Sequence, residues 1–179
     1  MQHYDSSMTP DTDVAIGMDW NPERPRILVA ACSDGRLQEA TDEFLSRHLG
    51  IQHYDRLYAP GGAGALCPSG RDFMRAHQLQ QECRYLVDAH GVNRLIMLFH
   101  GPAIDGPTDA VCADYRRKQP WATDAQVRAQ QEKDAQELLA DRWQWSGKAK
   151  VSIYRCEVGA NGGLRFATLH IDQLAPNVR

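Results

Sequence analysis

The chain has 179 residues, with 20 Lys and Arg against 23 Asp and Glu and a net charge of -3. No overall positive field therefore draws it to nucleic acid or to an anionic membrane. With 42% of its residues apolar, one domain of this length can bury a sizeable core. No apolar run reaches the length of a membrane span, and the polar, acidic start MQHYDSSMTPDTD does not read as a secretory signal. The expectation is a soluble, cytoplasmic protein in which residues 1–23 form a tail or extension and residues 24–179 form the domain. The five cysteines are Cys32, Cys67, Cys83, Cys112 and Cys156. An odd count without a signal argues against a disulfide framework. Each is then a core filler, a metal ligand or a nucleophile.

In chain order, Ile27 to Ala31 is a short apolar run and predicts a strand buried on both faces, ending at Cys32. Leu37, Ala40, Phe44, Leu45 and Leu49 follow at helical spacing, and Gly50 suits the stop. Arg56 to Ala59 predicts a second strand running into Pro60-Gly61-Gly62-Ala63-Gly64. Phe73, Ala76, Leu79, Cys83, Leu86 and Val87 mark the inward face of another helix, closed by Gly91. Leu95 to Phe99 predicts a strand ending at His100, and residues 101–120 read as a loop. Thr123 and Gln126 match a capping box. They open a helix to about Trp145, with Val127, Ala135, Leu138, Leu139 and Trp143 facing inward. Val151 to Val158 and Leu164 to Ile171 predict two strands around the turn Ala160-Asn161-Gly162-Gly163. Alternating strands and helices predict an α/β fold, a mainly parallel β-sheet flanked by helices. In such sheets ligands bind outside the carboxyl ends of the strands. Cys32, Pro60-Gly61-Gly62 and His100 are each expected at such an end.

Cys32-Ser33-Asp34-Gly35-Arg36 is the sharpest motif. A thiolate at a strand end is a good ligand for Zn²⁺. Arg36 can grip Asp34 with a two-pronged hydrogen bond and hold its carboxylate beside the metal. Taken alone, the segment also fits a buried cysteine followed by a solvated turn. His100, alone, fits a structural histidine; paired with Cys32 it reads as a neutral imidazole ligand. A catalytic zinc needs a third protein ligand, for which Cys112 is the choice, against a cysteine that merely packs under the loop. Cys67 is a spare ligand or a buried filler. Gly61-Gly62-Ala63-Gly64 lacks both phosphate-loop spacings, so its small residues read as allowing close backbone approach. Cys83 reads as core, Trp143 and Trp145 as packing or oligomer contacts, and Arg116-Arg117-Lys118 as a solvated face.

The order of motifs resembles the β-class carbonic anhydrases. Cys32-x-Asp34-x-Arg36, then Tyr58-Ala59-Pro60-Gly61-Gly62-Ala63-Gly64, then a helix and a strand ending in His100 are similar to that family's C-x-D-x-R, R-N-A-G and H-x-x-C. The stretch from Tyr154 to Leu164 resembles its last hairpin, and the match covers roughly residues 26–170. The resemblance implies a Zn²⁺ cofactor on Cys32, His100 and a second cysteine. It implies a catalytic pair, Asp34 and Arg36, that keeps the fourth zinc position open, and protomers that pair into homodimers or larger homo-oligomers. It implies a lyase for the reversible hydration of CO₂ to bicarbonate, with zinc lowering the pKa of bound water towards ~7. Two features depart from the family: residues 101–111 separate His100 from Cys112, and Pro60-Gly61-Gly62 replaces the start of its Gly loop. Both motivate a related linear substrate, COS or CS₂. If Asp34, Asp105 or Asp109 fills the fourth position, the site becomes a non-catalytic zinc module. A metal-free pairing of Cys32 with His100 would instead give a cysteine-nucleophile hydrolase.

Overall fold

A computed structural model of the chain describes residues 17–68 and 72–172, with the side chain of Trp143 also outside the description. The expected tail therefore lies mostly outside the described residues, as does the inward placement of Trp143.

The first strand, β1 (Ile27–Ala31), has the bounds the apolar run predicts. A 3₁₀ turn (Gly35–Leu37), the helix α1 (Gln38–Glu43) and a wider π turn (Phe44–His48) follow as one continuous helical segment. Gly50 ends it with φ 67°. Then come β2 (Asp55–Tyr58), a 3₁₀ turn (Gly62–Leu66), α2 (Phe73–His90) and β3 (Arg94–Pro102). The chain continues through a 3₁₀ turn (Thr108–Ala110), α3 (Ala113–Lys118), α4 (Asp124–Ala140) and α5 (Arg142–Ser146), and finishes with β4 (Lys150–Val158) and β5 (Leu164–Ile171).

The sheet order is β2-β1-β3-β4-β5, parallel except for the antiparallel β4–β5 hairpin. One face carries Leu28, Leu95, Met97, Val151 and Ile153 into a core with Cys83, Val87, Leu138 and Trp145 of the helices α2, α4 and α5. The other carries Val29, Ile96, Leu98 and Tyr154 against Phe44, Leu45 and Ile51. Each such side chain contributes about 1.5–3 kcal/mol when buried, which is why β1 and β3 read as unbroken apolar runs rather than alternating ones. Phe166 of β5 stacks on Phe44 at 4.0 Å between ring centroids.

Four local expectations change. Phe73 stays 60% exposed, because it opens α2 ahead of the turn whose face meets the sheet. β3 continues through Gly101 and Pro102, which pair with Glu157 and Val158, so His100 lies inside the strand. The region 101–120 is not one loop: it contains the 3₁₀ turn and α3, whose Tyr115 is 1% exposed and supplies the apolar anchor that stabilises so short a helix. The long helix after Thr123 keeps its capping box but breaks at Asp141 into α4 and α5.

Candidate metal centre

β1 connects to β2 through α1, whose segment packs on one face of the sheet, and β2 connects to β3 through α2 on the other. The chain thus leaves in opposite directions on either side of β1 and β3. A crevice opens at their carboxyl ends, where ligands bind in sheets of this kind. Cys32 stands there, directly after β1. Its position is fixed by Ala59 N–H to Ala31 O at 3.1 Å and Ser33 N–H to Ala59 O at 3.3 Å. The glycine run closes over the same point. A Cβ on Gly62 would lie 2.5 Å from Leu98 O and 2.7 Å from Cys32 N, and its φ is 55°, so only glycine fits without strain.

The structure brings Cys32, His100 and Cys112 together: their ligand atoms all lie within 4.8 Å of one another. Among the described residues these are the His, Cys, Asp and Glu side chains that converge in this way, and Asp34, Asp105, Asp109 and Cys67 are not part of the group. His100 is held from behind by Gln131, whose buried amide donates to the His100 carbonyl at 2.8 Å. Cys112 caps α3, and the backbone N–H groups of Asp114 and Tyr115 donate to its sulfur. The two sulfurs share a hydrogen bond. That bond, with the help of His100 and the Gly61 N–H, lowers the Cys32 thiol to about 4, while burial opposes the shift. The same bond and burial push Cys112 upward. The pair therefore holds one thiolate and one thiol.

Two observations test whether a metal suits these residues. Nε2 of His100 is buried without any hydrogen-bond partner, a loss that an ion would make good. Two thiols and an imidazole are also a soft donor set of the kind zinc prefers. The residues fit a zinc ion.

Asp34 caps the turn Gly35–Leu37, accepting from Arg36 N–H at 3.1 Å. The Arg36 side chain adds Nε to Oδ1 at 3.0 Å and Nη2 to Oδ2 at 2.7 Å. These bonds lower the Asp34 carboxyl to about 2. Arg36 Nη1 also donates to the Asp109 carbonyl at 3.4 Å, tying the pair to the segment between His100 and Cys112. A cleft of about 180 Å³ opens beside Cys32 and Asp34, lined also by Gln38, Thr41 and Tyr58.

The remaining cysteines are apart from this group. Cys67 is buried, its thiol donating to the carbonyls of Ala63 and Asp134. Cys83 is in the core, and Cys156 pairs in register with His100 across the sheet. Trp145 packs in the core. Arg116-Arg117-Lys118 does not form a solvated face. Arg116 pairs with Asp124, Arg117 with Asp72 and Asp114, and Lys118 with Asp114, because the buried Asp114 needs opposite charge nearby. Gln131, Arg75 and Asp114 carry no spacing signal. The basic run beside an aspartate was the one local hint of an ion-pair group.

No family model and no curated protein matches the chain. Among solved structures it is similar to the β-carbonic anhydrase isoform I of Trichomonas vaginalis, at 14% identity over 87% of this chain and 88% of that one, with a TM-score of 0.42. It is similar to a carbonic anhydrase from Streptococcus mutans, at 15% identity over 86% and 88%, with a TM-score of 0.45. It is also similar to the β-carbonic anhydrase of the fungal pathogen Aspergillus fumigatus, at 16% identity over 84% and 78%, with a TM-score of 0.40.

Proposed function

We propose that the chain is a zinc-dependent lyase of the β-carbonic anhydrase type that hydrates CO₂ reversibly. The observation that carries this reading is the convergence of Cys32, His100 and Cys112, with Asp34 turned to Arg36 and outside the ligand group. The three side chains would hold the ion, and zinc, when bound, supplies the Lewis acidity that makes water nucleophilic near neutral pH. Asp34 does the positioning. Arg36 keeps it anionic, so it offers only acceptor oxygens and orients a nucleophile that carries a proton. Because both Asp34 oxygens are taken by Arg36, the carboxylate is restrained from closing on the metal. The neighbouring cleft suits a small linear substrate. The same reading carries an assembly of two or more protomers, since β2 and β5 are outer strands with one edge each left unpaired by the sheet.

The test is metal content together with activity. One zinc per chain and rapid CO₂ hydration are expected. Cys112→Ser should lower zinc occupancy sharply, whereas Cys67→Ser, Cys83→Ser and Cys156→Ser should retain it. A rate no greater than that of Cys32→Ala would remove the activity, and full zinc retention in Cys112→Ser would remove that ligand.

A second reading, hydrolysis of COS or CS₂, is favoured by one contact. The segment inserted between His100 and Cys112 reaches Arg36 through the Asp109 carbonyl, so it helps form the approach to the site. Sulfide release from these substrates supports it, and a silent sulfide assay beside rapid CO₂ hydration rejects it.

A further inference from the structure

We infer that Asp114 is a positioning residue of this centre, its buried carboxylate fixing the backbone N–H groups that donate to the two ligand sulfurs. The inference rests on the reading of Cys32, His100 and Cys112 as metal ligands.

The Asp114 side chain is 2% exposed, yet it lies among three cations: Arg75 Nη1 at 3.0 Å, Arg117 Nη2 at 2.9 Å and Lys118 Nζ at 3.3 Å. Oδ1 takes both arginines. Oδ2 makes no hydrogen bond and is held by the charge of Lys118 alone. On one side of this carboxylate is its own backbone, whose N–H donates to the Cys112 sulfur. On the other side is Gly61, whose N–H donates to the Cys32 sulfur. The packing there is direct: a Cβ on Gly61 would stand 2.5 Å from Asp114 Oδ2.

The cations extend the grip to the rest of the glycine run. Arg75 Nη2 donates to the Pro60 carbonyl at 2.6 Å, and Lys118 Nζ donates to the Gly64 carbonyl at 3.0 Å. One ion-pair group thus binds α2, the start of α3 and the run 60–64, and the last two each present an N–H to a sulfur. A buried ion-pair group is weak evidence for stability, since desolvation offsets most of its attraction. Its geometric effect is the larger one here. It sets where two donors stand relative to two thiolates, and such outer contacts orient ligands and tune the metal they hold.

The test uses the full chain loaded with zinc or cobalt(II). Asp114→Asn keeps the shape and removes the charge. Zinc affinity, measured by competition with a chromophoric chelator, should fall about 10–100-fold. The thiolate-to-cobalt charge-transfer bands should shift, while circular dichroism retains the wild-type fold. Arg117→Gln, whose side chain is half exposed and meets Asp72 and Asp114 but not the glycine run, should change both readouts far less. If Asp114→Asn does not fold, Arg75→Gln takes its place, because it cuts the contacts to Asp114 and to Pro60 together. Arg75→Lys, able to replace one of those contacts, should recover part of the affinity. A folded Asp114→Asn, or Arg75→Gln in its stead, with wild-type zinc affinity and an unchanged cobalt spectrum overturns the inference while leaving the metal reading intact. A wild-type chain that takes up neither zinc nor cobalt overturns the metal reading and this inference with it.

Discussion

Gly64→Ala should be costly although it adds one methyl group. Gly64 lies in the buried turn Gly62–Leu66. A Cβ there would stand 2.5 Å from Tyr115 Cε2 and 2.8 Å from Cζ, and would meet the hydroxyl as well. Tyr115 cannot step aside. It is 1% exposed, and its hydroxyl donates to the buried Asp134 carboxylate at 2.5 Å. Overpacking of this kind costs about 1–3 kcal/mol, and losing a hydrogen bond to a buried charged group costs about 1.5–3 kcal/mol. Together the loss is about 3–5 kcal/mol, a large part of the stability of an ordinary domain. The strain also reaches the site, because Tyr115 belongs to the helix that Cys112 caps. Denaturant unfolding of the metal-free protein should show the loss, and chelator competition should show weaker zinc binding. Gly35→Ala is the control. It is close to the site in sequence, but nothing lies within 4 Å of its added Cβ, so its effect should stay within about 0.5 kcal/mol. Adding Tyr115→Phe to Gly64→Ala should not rescue it, since the ring carbon clash persists. A Gly64→Ala variant that loses less than about 1 kcal/mol would refute the close packing claimed for this turn.

Asp34→Ala should leave zinc bound while lowering activity, because Asp34 is outside the ligand group; loss of zinc would make it an obligatory ligand. Arg36→Ala should retain zinc and lose activity, since it frees Asp34 to turn toward the metal, and an unchanged rate would show that Arg36 does not restrain it. Acid should also weaken the fold through Asp34. Its carboxyl is lowered to about 2 from the ordinary 3.8 by the bonds from Arg36, so it favours the folded state above about pH 4 and loses that contribution as pH falls through about 2. Arg36→Ala should therefore flatten the pH dependence of stability between these limits, and an unaltered acid-unfolding profile would contradict the pairing.

Much of the fold is legible in the sequence because burial on both faces leaves a one-dimensional trace. Ile27–Ala31 and the run ending in Phe99 are apolar at every position, and no surface strand reads that way. Thr123 and Gln126 are equally local, since a capping box closes within one turn. Cys32, Asp34 and Arg36 could be chosen for the same reason: the pair is made between neighbours two residues apart. What lies between His100 and Cys112 could not be read. A helix as short as α3 has no periodicity of its own and exists because Tyr115 packs beneath Gly64 and Asp114 is held by charges from α2. The role of Arg75 is invisible for the same reason, its partners lying 15 and 39 positions away. The sequence by itself determined the donor types, the strand ends that carry Cys32 and His100, and the alternation that makes the sheet parallel. Only the tertiary structure decided that Cys112 rather than Cys67 joins them, because closing the chain over residues 101–111 costs little in entropy for any of several endings. The choice among endings is made by the packing of α3 and the charges around Asp114.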